Sequence, residues 1–213
     1  APATPRISTF ALHEPLPLPT IMTDWAIGHD GSSKPYPYDP EKAKALLKEA
    51  GFPNGVEITA YHQQGRVPKD KEIGEALAGE LAKIGVKINI KWMDWGTLFS
   101  QANAGKADGI VFRSWGNWMH DADNSLFTLW HSSSIYAKNW HHFSNAQLDK
   151  LLEDARSTMD EAKRVTLYAQ AQKILYDEAP AIFGYAIEDV YAINNRIDWK
   201  PRTDEMVWYQ EMA

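Results

Sequence analysis

Apolar and polar positions alternate along this chain in two rhythms, one of helices and one of strands. Ala43, Leu46, Leu47 and Ala50 share one helical face; Asp39 suits the N-cap, Pro40 the first turn and Gly51 the stop, so a helix is predicted over 40–50. Val56 to Tyr61 alternates with a period of two and predicts a strand. Ile73, Leu77, Leu81 and Ile84 recur at helical spacing from Asp70, with Gly85 as the stop. Val86 to Trp92 alternates again, completing a strand–helix–strand unit whose two strands should be parallel. Asp94 caps a predicted helix over 95–104, and 109–114 reads as a third strand.

The second half is more helical. A short helix is predicted around Ser125–Trp130 and a loop over 131–143. Ser144, with Gln147 three residues on, has the form of a capping box for a helix running to about Thr158. Asp160 caps a longer helix that Ala179-Pro180 breaks, and Ala181 to Ile187 reads as an apolar strand, with Val190–Ile193 as its partner. Residues 1–38 are rich in proline and read as an extended connecting segment; 194–213 are polar and weakly patterned. The expected class is α/β, a mixed β-sheet flanked by helices. Such folds bind ligands in loops at strand ends, which singles out Gly65–Pro68 and Trp115–Asn124.

Composition narrows the function classes. The 213 residues fit one large domain or two small ones, and 44% hydrophobic with 23% charged residues argues against disorder. A net charge of -6 argues against a nucleic-acid partner. The absence of cysteine excludes disulfides, thiolate metal sites and cysteine nucleophiles, and it suits a periplasmic or secreted protein. No apolar run reaches a membrane-spanning ~20 residues, and Ala1–Pro5 has no signal-peptide character. Nine Trp, nine Tyr and seven Phe supply either a heavily aromatic core or an aromatic-lined ligand site.

Four constellations carry candidate chemistry. Arg66, just after a strand, is placed either to hold a carboxylate or phosphate by a two-pronged bond or simply to be solvated. Trp115, Asn117 and Trp118 set two indoles and an amide at a strand end, where they stack on a ligand or plug the core. Asp121 and Asp123, with His120 beside them, have the Asp-x-Asp form of a metal-dependent glycosyltransferase; the plainer alternative is that Asp123 or Asn124 caps the following helix. His131, His141 and His142 converge on a metal only if the loop folds back on itself. Phosphate loops, serine elbows and zinc-protease signatures are all absent.

Taken together, Tyr36-Pro37-Tyr38-Asp39-Pro40 with the helix to Gly51, Leu81-Ala82-Lys83-Ile84-Gly85-Val86, Asp94-Trp95, Trp115 with Asp121-Ala122-Asp123-Asn124, and Arg164-x-x-x-Tyr168-x-x-Ala171-Gln172-x-x-Leu175-x-x-x-Ala179-Pro180 resemble the extracellular solute-binding proteins, family 5, of ABC importers. The resemblance covers about residues 35–187. It implies one lobe of a two-lobed, type II periplasmic-binding-protein-like fold, with 1–193 as the C-terminal lobe and 194–213 as a segment returning to a missing N-terminal lobe. It further implies a periplasmic or lipid-anchored extracellular location, no cofactor and no catalysis. The implied partners are a small-molecule solute, the missing lobe and an ABC permease, with no nucleic acid.

Within that resemblance, the family arginine matching Arg66 holds the ligand carboxylate, and the tryptophan matching Trp115 lines the pocket. Peptide-binding members carry an aspartate three residues later to neutralise the ligand amine, where this chain has Trp118. An indole face offsets an unpaired ammonium by only about 0.5–2 kcal/mol, so a sugar, opine-like conjugate, blocked peptide or amidated compound is expected over a free-amino peptide. Asp121 is the displaced candidate for an amine anchor. Against this binding module stand a metal-dependent transferase using Asp121 and Asp123, and a protein-interaction domain using exposed aromatics.

Overall fold

Three carboxylates start three helices. Asp39 accepts the Lys42 N–H at 2.9 Å ahead of α1 (Pro40–Glu49), Asp94 that of Thr97 at 3.0 Å ahead of α3 (Trp95–Asn103), and Asp160 that of Lys163 at 3.1 Å ahead of α6 (Glu161–Glu178). The computed structural model describes residues 18–116, 118–187, 191–194, 196–202 and 204–212. The remaining elements are β1 (Val56–Gln63), α2 (Asp70–Ala82), β2 (Val86–Met93), β3 (Ile110–Phe112), α4 (Ala122–Trp130), a π-helical turn (Tyr136–His141) and α5 (Ala146–Ser157).

The chain divides into two compact units. The first, 36–115 with 127–150, contains the sheet. Its strands lie in the order β2-β1-β3, all parallel, with Val56 opposite Val86 and His62 opposite both Trp92 and Phe112. Strand alternation sends Tyr61, Met93 and Val111 to one face, where Leu98 and Ala102 of α3 pack with Ala107 and Trp140. His62, Trp92 and Phe112 take the other face; His62 stacks on Phe112 at 4.0 Å and meets α2 at Gly74.

The second unit contains 18–35, 116–126 and 151–212. Tyr168, Ala171, Gln172 and Leu175 form the buried stripe of α6. Gln172 ties in the segment before α1: its amide donates to the Gly28 carbonyl at 2.7 Å and accepts from the Thr20 hydroxyl at 3.2 Å. A parallel bridge pairs Ile27 with Asp121. Much of the Arg164–Leu175 pattern thus stitches one helix to the rest of its own unit.

Several boundaries depart from the sequence expectation. β1 runs on to Gln63, because pairing with Trp92 and Met93 continues past Tyr61. Asn145, not Ser144, caps α5, accepting from the Gln147 and Leu148 N–H groups at 3.0 Å each. The expected loop 131–143 contains the π-helical turn. The strand expected over Ala181–Ile187 does not form: Leu18 N–H donates to the Gly184 carbonyl at 3.1 Å and Tyr185 makes an isolated bridge, but no strand is built there among the described residues. Its proposed partner Val190 lies outside the described residues, as do residues 1–17 of the connecting segment.

Candidate functional site

Parallel strands bring their carboxyl ends to one edge, and the loops there have no sheet left to satisfy them. The loop after β1 is anchored at both ends. Gln64 N–H extends the ladder to the Met93 carbonyl at 2.9 Å. The buried Asp70 carboxylate accepts the Arg66 backbone N–H at 3.2 Å. This holds the exposed Arg66 with its guanidinium over the Trp95 ring, 4.5 Å from the centroid. Trp95 is itself fixed as the first residue of α3 by the Asp94 cap. Arg66 therefore rests on an aromatic face and, among the described residues, has no carboxylate partner.

Arg113 follows β3 on the same sheet face as Val111 and is partly buried. Its guanidinium lies 4.9 Å from the Trp115 ring, 4.6 Å from Tyr136 and 5.0 Å from Trp140. Burial pulls its pKa down to about 10 from its usual range, against the opposing influence of Tyr136. No carboxylate among the described residues pairs with it. The π-helical turn delivers Tyr136 and Trp140 to this point, and the Trp140 Nε1–H donates to Asn103 at 2.8 Å to fix the ring. Trp95 and Trp140 stand 6.1 Å apart, so both cations rest on one connected set of rings. Gln63 ends β1 fully buried, with neither amide atom hydrogen-bonded. Leaving such a group unpaired costs about 1–3 kcal/mol.

Of the residues expected to bind ligand, Arg66 and Trp115 thus belong to this edge of the sheet unit, alongside Trp95, Arg113, Tyr136 and Trp140, which the sequence reading missed. An arginine on the core-facing phase of an apolar strand, two residues before a tryptophan, was the available signal. Trp118 and Asp121 belong to the second unit, and Asn117 lies outside the described residues. Trp118 is 46% exposed. Both Asp121 oxygens are engaged by Arg164 at 2.9 Å each, and Arg164 also donates to the Tyr168 hydroxyl at 3.1 Å. Asp123 is gripped by Arg156 at 3.0 and 2.8 Å. Each carboxylate has its own arginine, a poor arrangement for sharing a cation. Nor do the histidines gather. His131 stacks on Phe127 at 4.2 Å, and His141 stacks on Trp130 at 4.2 Å with its Nδ1 against the Leu129 carbonyl. Among the described residues no group of three or more potential ligands could hold a metal.

Residues 14–137 match the model of the bacterial extracellular solute-binding proteins, family 5. The chain is 38% identical over 161 residues to di/tripeptide-binding protein 1 of Pseudomonas aeruginosa, an alignment covering 74% of this chain and 29% of that protein. It is 39% identical over 171 residues to heme-binding protein A of Haemophilus influenzae, covering 79% of this chain and 30% of that one. Among solved structures, the periplasmic binding protein DppA of Helicobacter pylori, in complex with the peptide STSA, superposes with a TM-score of 0.72 at 30% identity, over 81% of this chain and 34% of that one. AgaA of A. tumefaciens R10, in complex with agropinic acid, gives 0.70 at 26% identity, over 86% and 38%. The neighbours are type II periplasmic binding proteins, and the chain spans about three-tenths of the length of the curated relatives it matches.

Proposed function

The chain belongs to the bacterial extracellular solute-binding proteins, family 5, and from that premise we propose that it forms part of the capture receptor of an ABC importer. It works outside the cytoplasmic membrane, binds a small carboxylate-bearing solute without transforming it, and delivers it to a permease. Residues 1–193 make one lobe of a two-lobed receptor, and 194–213 lead back towards the other; closure of the lobes encloses the solute.

The observation that carries this reading is Arg66. Its guanidinium is held over Trp95 by an anchored loop, at the edge where parallel strands end, with no carboxylate of the described protein on it. A planar fork so presented suits a ligand carboxylate, and Trp115 supplies the adjacent apolar wall. Relatives named for di- and tripeptides and a structural neighbour holding agropinic acid support a solute with that group. Asn117 and Trp118 are kept from the sequence as further proposed ligand residues. An aspartate is missing at Trp118, and Asp121 is committed to Arg164. The favoured solute is therefore one whose amino end is blocked or absent. A glycosyltransferase using Asp121 and Asp123 gains no support from carboxylates already bound by two arginines.

Isothermal titration of the intact protein tests this with di- and tripeptides whose amino ends are free or acetylated. The acetylated forms should bind at least as tightly as the free ones. Arg66→Ala should weaken binding about 10- to 100-fold, the worth of one charge-assisted bond. Unchanged affinity in Arg66→Ala would overturn the assignment of Arg66, and a clear preference for free amines would overturn that of Trp118.

A further inference from the structure

We infer that Arg113 forms a second anion-binding subsite at the same edge, so that the solute carries two acidic groups. This rests on the receptor reading above and deepens it.

Three observations converge. The first is the state of the cation. Arg113 is partly buried and held by three aromatic rings, yet no described carboxylate neutralises it. Rings attract a cation weakly compared with a paired carboxylate. A desolvated guanidinium in that condition has unused donors and a strong affinity for any anion that reaches it.

The second is its neighbour. β1 and β3 pair with Tyr61 opposite Val111 and His62 opposite Phe112. The same register, continued one residue, sets Gln63 beside Arg113 on the same face. Gln63 is fully buried with both amide atoms unpartnered. Two adjacent strand ends therefore carry an amide with no hydrogen-bond partner and a guanidinium with no carboxylate among the described residues. A structural arginine would be expected to find a carboxylate, as Arg164 and Arg156 do in this same chain.

The third is the link to Arg66. Trp95 carries Arg66 on its face and packs 6.1 Å from Trp140, which carries Arg113. Two unpaired cations on one continuous aromatic surface repel a positively charged ligand and leave a monoanion able to satisfy only one of them. A compound with two carboxylates, such as a peptide ending in or containing glutamate, satisfies both while its carbon skeleton lies on the rings.

The test is a pairwise titration of the intact protein with N-acetyl-Ala-Glu against N-acetyl-Ala-Gln, and with Ala-Glu against Ala-Gln. Each pair differs only by a carboxylate replaced by its amide. The glutamate member should bind at least 10-fold more tightly in at least one pair. Arg113→Gln should abolish that preference by weakening the glutamate member at least 10-fold more than the glutamine member. Arg113→Lys, which keeps the charge without the fork, should retain part of it. Equal binding of the two members by the wild type, or equal loss for both in Arg113→Gln, overturns the second subsite while the peptide reading stands. Failure of the wild type to bind any of the four overturns both.

Discussion

At the residue scale, His141 shows how the aromatic surface governs charge. It stacks on Trp130 at 4.2 Å, and its Nδ1 meets the Leu129 carbonyl at 3.1 Å. Burial first, and the Arg113 cation second, pull its pKa from the ordinary 6.5 to about 4. The imidazole is therefore neutral in the folded protein at physiological pH, and Nδ1 is the nitrogen that donates. Between pH 6.5 and 4 the unfolded chain binds a proton that the folded chain refuses, so stability rises with pH across that window. The contribution is complete above about pH 6.5 and is lost as pH falls toward 4, amounting to at most about 3 kcal/mol. Urea unfolding of the intact protein should show this loss, and His141→Gln should reduce it. Identical pH slopes in the two proteins would show that His141 is not the group responsible.

At the element scale, α2 owes its approach to the sheet to one missing side chain. A Cβ on Gly74 would stand 2.8 Å from His62 Cδ2 and 2.9 Å from both His62 Nε2 and the Trp92 ring. His62 is 2% exposed and cannot move aside. Gly74→Ala should therefore cost about 1–3 kcal/mol through overpacking. A Cβ on Gly79, in the same helix, meets nothing within 4 Å, so Gly79→Ala should stabilise by about 0.5–1 kcal/mol through helix propensity. Unfolding midpoints moving in opposite directions would bear this out; equal shifts would mean that α2 does not seat on His62.

The caps at Asp39, Asp94 and Asp160 and the alternation over 56–61 and 86–92 were legible because they are written in neighbouring residues. Arg66 and Trp115 were legible as strand-end residues for the same reason. What escaped depends on distant partners. The run 181–187 has strand composition, yet among the described residues it makes only an isolated bridge at Tyr185 and no strand. The π-helical turn sits in a stretch rich in Ser, His and aromatics, where no periodicity announces it. Arg113 looked like one more strand residue until Tyr136 and Trp140, more than twenty positions away, were found around it. Asp121 invited a metal or an amine, and only the fold supplies Arg164.

At the scale of the whole molecule, the sheet unit combines a parallel α/β frame with two aromatic-seated arginines at its carboxyl edge. The second unit spends its matching carboxylates and arginines on one another. That contrast suits the proposed capture role: the sheet unit's two arginines carry no carboxylate among the described residues, whereas Arg156 and Arg164 are ion-paired. Native mass spectrometry of the intact protein, purified without denaturation from its own organism, tests this most directly. The account predicts a stoichiometric small organic acid, released on unfolding and bearing two carboxylates on fragmentation. A bound nucleotide sugar with a divalent metal, or a solute with no acidic group, would contradict it.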